Sequence, residues 1–269
     1  MKPADYPRVK ICCIANVQEA WLAIRHGASA LGLVSAMPSG PGVISEERIA
    51  EIAAVAPPGV ATFLLTSQQD PAGIIAQQRR CGTNTIQLVD SLPLDAYAAL
   101  REALPGIALV QVIHVMGPEA LDEALRVAPR VDAILLDSGN TRLPVKELGG
   151  TGRTHDWSIS AAIREAIDKP LYLAGGLRPE NAAEAFAQVR PFGLDLCSGV
   201  RSGGQLDEAK LAAFFGALEP FRGEAPGAGP ARGAAWVPWI ASGPRDAPAG
   251  RPPPAGKPPR PRGRSPRRS

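Results

Sequence analysis

LGGTGRTHDW, residues 148–157, is a glycine-rich loop that follows an apolar segment ending at Asp137 and leads into a helical pattern. Glycine lets the backbone approach a ligand closely, and a helix start offers unpaired N–H groups to an anion. Two further small-residue turns follow later apolar segments, AGG at 174–176 and CSG at 197–199. Three such turns in succession predict a barrel of strands that holds a phosphate group.

Short apolar segments alternate with helical patterns over most of the chain. Eight of them are found, at residues 9–14, 30–34, 60–65, 85–88, 108–115, 133–136, 170–173 and 193–196. Several helical patterns begin with a capping residue, as in Ser45 followed by Glu46 and Glu47. Apolar strands that alternate with helices predict parallel βαβ units. Eight units favour an α/β fold of the (β/α)8 TIM-barrel type over a doubly wound open sheet, which usually has five or six strands.

Composition divides the chain near residue 220. The part after residue 220 holds twelve of the 28 prolines and ten of the 29 Lys and Arg residues, but only two acidic residues. It carries about +8 charges and leaves about −5 on the rest, so the net charge of +3 says little about the barrel's partners. Proline blocks helix and sheet, and such a tail buries too little apolar surface to fold. We therefore predict a single barrel domain over 1–219 and a disordered basic tail over 220–269.

The same composition argues against several functional classes. No apolar run is long enough to span a membrane, and the amino end does not read as a signal peptide. The cysteines at 12, 13, 81 and 197 lack the spacing of a zinc site. Cys12 and Cys13 are a poor structural pair, because neighbouring residues on a strand point to opposite faces. A cytoplasmic protein with reduced thiols is therefore expected. The tail lacks interleaved aromatic residues, which favours a solvated extension over a nucleic-acid-binding arm.

Candidate catalytic residues lie where strands of a barrel run into the loops that follow them. Cys12 ends the first strand and is either a base or nucleophile, or a small buried filler. Asp137 ends the sixth strand and is either a site residue or a loop cap, because burying an unpaired carboxylate is costly. Together they could flank a small substrate as base and acid. Asp195, a charge within an apolar strand, is also predicted to belong to the site.

Two histidines lie near the same end of the barrel. His155 sits inside the opening loop, where it could assist phosphate binding or proton transfer, but a solvent-facing position is favoured. His114 ends the fifth strand and either points into the mouth or packs at the rim.

Five segments resemble, in order and at matching spacing, the phosphoribosylanthranilate isomerase family of tryptophan synthesis. The likeness covers about residues 8–218 and is strongest from Asp137 to Val200. The segments are KIC at 10–12, LLD at 135–137, GGTGRTHDW at 149–157, LAGGLRPEN at 173–181 and VRPFGLDLCSGV at 189–200.

The resemblance implies an Amadori rearrangement of N-(5-phosphoribosyl)anthranilate to 1-(2-carboxyphenylamino)-1-deoxyribulose 5-phosphate, without a cofactor or a metal. It implies that Asp137 is the general acid that opens the sugar ring and that Cys12 is the general base that takes the C2′ proton. It also implies a set of substrate-binding residues, whose glycine and serine turns hold the phosphate: Gly150, Thr151, Gly152, Gly175, Gly176, Asp195, Ser198 and Gly199.

The chain departs from the family pattern at three places. Cys13 stands where the family usually has glycine, and its bulk is expected to crowd the barrel floor. Gly42 stands where the family has an arginine that pairs with the anthranilate carboxylate, and QLVD at 87–90 replaces a Gln-Leu-His-Gly pattern. Loss of that arginine should weaken binding by a few kcal/mol, on the order of one charge-assisted contact. Gly42→Arg is therefore expected to lower KM.

Three hypotheses follow from this pattern. The chain is a phosphoribosylanthranilate isomerase, a paralogous barrel isomerase acting on another phosphorylated sugar derivative, or a non-catalytic phosphosugar binder. Retention of both Cys12 and Asp137 argues against the binder, which needs neither. In each case the expected partner is a small phosphorylated molecule, with no membrane contact, and the protein is a monomer or a homodimer.

Overall fold

Eight parallel strands form a closed barrel in a computed structural model that describes residues 7–140, 143–148 and 152–222. The strands are β1 Arg8–Ile11, β2 Ala30–Val34, β3 Ala61–Thr66, β4 Thr85–Leu88, β5 Ala108–His114, β6 Ala133–Asp137, β7 Leu171–Leu173 and β8 Gly193–Leu196. Each pairs with the next in chain order, and β1 pairs with β8 to close the ring. The predicted (β/α)8 barrel is confirmed, and the open sheet is excluded because no barrel strand is left at an edge.

Helices on the outside of the barrel follow the strands. They are α1 Val17–Arg25, α2 Glu46–Val55, α3 Pro71–Cys81, α4 Ala96–Ala103, α5 Ala120–Val127, α6 Trp157–Ala166, α7 Ala182–Val189 and α8 Glu208–Leu218. The predicted cap at Ser45 is confirmed, since its side chain accepts a hydrogen bond from the N–H of Arg48 at 3.3 Å. A short hairpin, β9 Arg201–Ser202 with β10 Gln205–Leu206, lies between β8 and α8.

Apolar side chains form two layers, one on each face of the barrel wall. Residues such as Leu31 and Leu33 of β2 point outward and pack beneath the helices. Residues such as Phe63, Val110 and Tyr172 fill the interior. Because the strands bury both faces, their sequences read as continuous apolar runs rather than as alternating patterns.

The first apolar run of the sequence continues past the end of strand β1. The apolar run extends to Ile14, but pairing stops at Ile11. Cys13 has a φ of 62°, in the left-handed region, where a side chain costs about 1–2 kcal/mol. This backbone turn, which apolar periodicity does not reveal, ends the strand.

A buried ion pair lies at the seam where the barrel closes. Lys10 of β1 and Asp195 of β8 are register partners, and their Nζ and Oδ2 atoms lie 2.8 Å apart. The Lys10 side chain is 0% exposed and that of Asp195 7%. Burial works to lower the pKa of Lys10, but the charge of Asp195 raises it above its ordinary value. Burial raises the pKa of Asp195, and Lys10 offsets part of that shift.

The described residues end at 222, which leaves the expectations about the tail and the location of the protein untested. The last element is a 3-10 helix at Glu219–Phe221, so nearly all of the predicted tail, 220–269, lies outside the described residues. Within those residues no helix is long and apolar enough to cross a membrane. The disordered tail and the cytoplasmic location remain predictions.

Removing one partner of the seam ion pair should destabilise the fold strongly. Asp195→Ala leaves a buried ammonium group without its counter-ion, and we expect the free energy of unfolding to fall by about 3–5 kcal/mol. Lys10→Met combined with Asp195→Leu should cost less, because it removes both charges. Urea unfolding followed by tryptophan fluorescence measures both values. Equal losses in the single and the double variant would contradict this account of the pair.

Candidate active site

An open cavity lies at the carboxyl ends of the barrel strands. Most of the predicted site residues line it together: Cys12, Asp137, Gly152, Gly175, Gly176, Asp195 and Ser198. Gly199 is not among the lining residues. Gly150 and Thr151 lie outside the described residues.

Cys12 follows β1 directly, and two sets of contacts fix its backbone. Its N–H donates to the carbonyl of Leu196, at the end of β8, at 2.7 Å. The guanidinium of Arg201 donates to the carbonyl oxygen of Cys12 at 3.4 Å and also to that of Cys13. Glu19 accepts from the same guanidinium at 2.9 and 3.0 Å. Strand pairing and a part-buried ion pair therefore hold the Cys12 thiol at the mouth.

Cys13 lies on the same cavity as Cys12. Its left-handed backbone turns the chain, so the two side chains do not alternate as they would along a strand. The Cys13 thiol donates to the carbonyl oxygen of Pro41 at 3.5 Å. The expectations that these neighbours point to opposite faces and that Cys13 crowds the barrel floor were wrong, because the strand has already ended.

The surroundings of the two thiols shift their pKa values in opposite directions. The neighbouring Cys13 thiol lowers the pKa of Cys12, burial opposes this, and the charge of Lys10 adds to the lowering. The neighbouring Cys12 and Cys197 thiols, together with burial, raise the pKa of Cys13. A Cβ at Gly32 would fall 2.7 Å from Cys12 Sγ and 2.9 Å from Lys10 Nζ, so this glycine leaves the space that both groups use. The nearby ammonium group of Lys10 therefore favours the thiolate form of Cys12.

Asp137 is the last residue of β6 and is 8% exposed. Its Oδ1 accepts a hydrogen bond from the N–H of Ser138 at 2.7 Å. The carboxylate therefore caps the start of the following loop and lines the cavity as well. The two alternatives left open by the sequence, loop cap and site residue, are compatible.

Three small-residue turns meet on the β7–β8 side of the cavity. A Cβ at Gly152 would lie 3.7 Å from Ser198 Oγ, and one at Gly176 would lie 2.6 Å from the carbonyl carbon of Arg153. A Cβ at Gly199 would lie 2.0 Å from a carbonyl oxygen in the loop after β7. The last two positions therefore leave no room for a side chain, and Gly152 has a φ of 70°, a conformation that favours glycine.

Two buried polar atoms in the cavity wall have no hydrogen-bond partner among the described residues. They are Asp195 Oδ1 and Gln87 Oε1. Gln87 lies on β4 and is 4% exposed. A buried carboxylate or amide oxygen without a partner is costly, so both atoms can accept a hydrogen bond from a ligand. Sequence analysis missed a role for Gln87, although it begins the altered QLVD segment.

The far side of the mouth is built by the loops after β2, β4 and β6. Asp90, the last residue of the QLVD segment, forms an ion pair with Lys146 at 2.5 Å. Ser39 Oγ donates to the carbonyl oxygen of Lys146 at 2.5 Å. Leu148 and Pro41 complete this wall. Among the cavity-lining residues that the structure describes, none is a lysine or an arginine.

Gly42 packs directly on Cys13. Its φ is 80°, and a Cβ there would lie 2.4 Å from Cys13 Cβ and 2.9 Å from its Sγ. Cys13 and Gly42, two of the three departures from the family pattern, are therefore in contact. A side chain at position 42 therefore requires Cys13 or the backbone to shift, so Gly42→Arg should disturb this turn, and its expected effect on KM stays a prediction.

The two histidines do not join the cavity. His114 Nε2 lies 2.9 Å from the carbonyl oxygen of Val89, so the ring packs at the rim between β5 and β4. His155 is half-buried, with its Nε2 2.6 Å from Ser160 Oγ, and burial lowers its pKa. The favoured solvent-facing position of His155 was wrong, because the side chain reaches Ser160 in α6.

Comparison with known proteins gives a family match over the whole barrel. The family model described as N-(5'phosphoribosyl)anthranilate (PRA) isomerase matches residues 9–217. The chain belongs to this family. The resemblance inferred from five short segments is thereby confirmed, and the protein is an isomerase by family membership.

Relatives of the phosphoribosylanthranilate isomerase family cover the barrel almost completely. The isomerase of Haloferax volcanii is 36% identical over 218 residues, which span 80% of this chain and 95% of the relative. The crystal structure of the isomerase from Thermotoga maritima is 30% identical with a TM-score of 0.69, and covers 80% of this chain and 99% of its own.

A further solved structure of the phosphoribosylanthranilate isomerase family holds a ligand. It is a complex with reduced 1-(o-carboxyphenylamino)-1-deoxyribulose 5-phosphate, 28% identical, with a TM-score of 0.67. It covers 80% of this chain and 99% of its own. That protein therefore binds a phosphorylated sugar derivative on the same fold.

The contact between Gly42 and Cys13 should appear as coupling between two substitutions. We expect Gly42→Ala to lower the free energy of unfolding by about 2–4 kcal/mol, because it adds backbone strain and a steric clash. In a Cys13→Gly background the same change should cost less by about 1 kcal/mol or more. Four chemical denaturation curves complete the double-mutant cycle. Additive effects would show that the two residues do not compete for space.

Proposed function

We propose that this chain catalyses the Amadori rearrangement of N-(5'-phosphoribosyl)anthranilate, with Asp137 as general acid and Cys12 as general base. The observation that carries the proposal is the joint placement of a thiol from β1 and a carboxylate from β6 on one cavity. The small-residue turns after β7 and β8 line the same cavity, as a phosphate site in this class of barrel would.

The first step is ring opening. The carboxyl of Asp137 gives its proton to the furanose ring oxygen, and the bond between that oxygen and C1′ breaks. The nitrogen lone pair forms a double bond to C1′, which gives a protonated imine. Asp137 is suited to this role because it lies at the cavity wall, with Oδ1 oriented by the N–H of Ser138.

The second step is proton removal from C2′. The protonated imine makes this C–H bond acidic, so a thiolate is a sufficient base. Cys12 supplies it, since Cys13 and Lys10 favour its deprotonated form. The resulting enolamine loses its C2′ hydroxyl proton and gains a proton at C1′, which yields the ketone.

The remaining groups would bind and orient the substrate. Small-residue turns at Gly152, Gly175–Gly176 and Ser198 would receive the phosphate, with Gly150, Thr151 and Gly199 as further parts of the same turns. Asp195 Oδ1 and Gln87 Oε1 would accept hydrogen bonds from sugar hydroxyl or amine groups, which would satisfy both buried atoms.

A second candidate substrate follows from the cavity wall. No described lining residue is a lysine or an arginine, and Gly42 takes the place of the family's carboxylate-binding arginine. This favours, as the alternative, an isomerase that acts on another aminated, phosphorylated pentose. Comparing kcat/KM for substrates with and without the aryl carboxylate separates the two, because equal values would show that the carboxylate is not recognised.

Substitution of the proposed acid and base should remove most of the activity. We expect Cys12→Ala and Asp137→Asn each to lower kcat/KM by about 10²- to 10⁴-fold, the usual contribution of a positioned acid or base. The loss of phosphoribosylanthranilate fluorescence follows the reaction.

Cys81→Ala is the matched control, because Cys81 is a buried thiol at the end of α3 and does not line the cavity. An active Cys12→Ala protein would refute the assignment of the base. Absence of turnover in the unaltered chain would refute the proposed substrate.

The pH profile should report the environment of Cys12. The thiolate is the active form, so kcat/KM should rise with pH through the pKa of Cys12. That pKa is lowered, so the rising limb should lie below the ordinary thiol pKa of about 8.5. Cys13→Gly removes the neighbouring thiol that favours the Cys12 thiolate and should move the limb to higher pH. An unchanged limb in this variant would mean that Cys13 does not tune the base.

A further inference from the structure

Cys13 and Cys197 form a close pair of thiols that the rearrangement does not use. Cys197 follows β8, and its Sγ lies 2.7 Å from Cys13 Sγ although the residues are 184 positions apart in the chain. This distance is about 0.7 Å longer than a disulfide bond, which measures about 2.05 Å. Closing the bond therefore needs only a small movement of two side chains at neighbouring strand ends.

The two thiols differ in their access to solvent. Cys197 is partly exposed and lines the cavity, whereas Cys13 is 5% exposed. A small oxidant that enters the cavity can reach Cys197, and the buried Cys13 thiol then lies within reach of whatever forms there. One exposed thiol beside a buried resolving thiol is the arrangement of an oxidisable dithiol.

We propose that Cys13 and Cys197 are a reversible modification site, which a low-molecular-weight disulfide oxidises to an intramolecular disulfide bond. The thiolate of Cys197 attacks one sulfur of the oxidant, forms a mixed disulfide and expels the first small thiolate. Cys13 then attacks the Cys197 sulfur and expels the second. Two protein thiols are oxidised, one disulfide oxidant is reduced to two thiols, and the two protons leave on those products.

Oxidation should also lower the activity, an effect that rests on the proposed role of Cys12. In the reduced protein Cys13 lines the same cavity as its chain neighbour Cys12, and its thiol favours the Cys12 thiolate. A disulfide bond would replace that thiol and draw its sulfur toward Cys197. The new bond therefore withdraws that support from Cys12 without touching its sulfur, and reduction restores it.

The other thiols are poorer partners. Cys81 is fully buried at the end of α3 and does not line the cavity, so an oxidant in the cavity does not reach it. Cys12 lines the cavity, but strand pairing and Arg201 hold its backbone, and the thiol that Cys197 contacts at 2.7 Å is that of Cys13. The chain thus offers one matched control thiol away from the cavity and one within it.

The site is tested with 2-hydroxyethyl disulfide, a probe small enough for the cavity. After oxidation and denaturation in acid, the full chain should lose two of its four titratable thiols, and reduction should restore them. Mass spectrometry of tryptic digests should find the peptide that starts at Ile11 joined to the peptide that contains Cys197. Cys12→Ser and Cys81→Ser should still lose two thiols, whereas Cys13→Ser and Cys197→Ser should form no such link.

A link that involves Cys12, or the absence of any link, would overturn the site. The second readout is the ratio of isomerase rates in oxidised and re-reduced samples of the same protein. We expect about a tenfold loss at neutral pH, which corresponds to about one unit in the pKa of Cys12, and no loss for Cys197→Ser. A disulfide that leaves the rate unchanged would overturn the effect on activity. If the reduced protein has no isomerase activity, the proposed function fails. The thiol count still tests whether Cys13 and Cys197 form a disulfide bond.

Discussion

The ion pair between Lys10 and Asp195 joins the first barrel strand to the last, inside the wall and away from water. An open sheet leaves two strand edges, and closure requires that these particular edges meet in one register. A buried pair of opposite charges is satisfied in one register only, because a slip by one residue would leave both charges unpaired. The same ammonium group lies beside Cys12, so the contact that closes the barrel also sets the electrostatic field at the proposed base.

A second ion pair fixes the backbone at the mouth of the barrel. Arg201 reaches from the hairpin after β8 to the carbonyl oxygens of Cys12 and Cys13, and Glu19 of α1 holds the guanidinium in place. Both groups are shielded, with side chains 9% and 11% exposed, which makes the contact less sensitive to salt than a surface pair. The turn that carries the base is therefore fixed from three directions: by β8, by the hairpin and by the first helix. A base that must reach one C–H bond gains from this rigidity.

The sequence predicts those parts of the site that depend on strand order. Cys12 and Asp137 are found because the ends of barrel strands meet at one rim, and small-residue turns mark the phosphate side. The pairing of Cys13 with Cys197 and the contact of Cys13 with Gly42 are missed for another reason. Both depend on one left-handed φ at Cys13, which apolar periodicity does not encode. Gly150 and Thr151 stay predictions.

The packing of Gly42 on Cys13 couples the loop after β2 to the turn that follows β1. A Cβ at position 42 would lie 2.4 Å from Cys13 Cβ, so a side chain there requires Cys13 or the backbone to move. Substitutions at the two positions are therefore epistatic, because the effect of one depends on the residue at the other. Redesign of this loop would have to begin at position 13, before a larger residue enters at position 42.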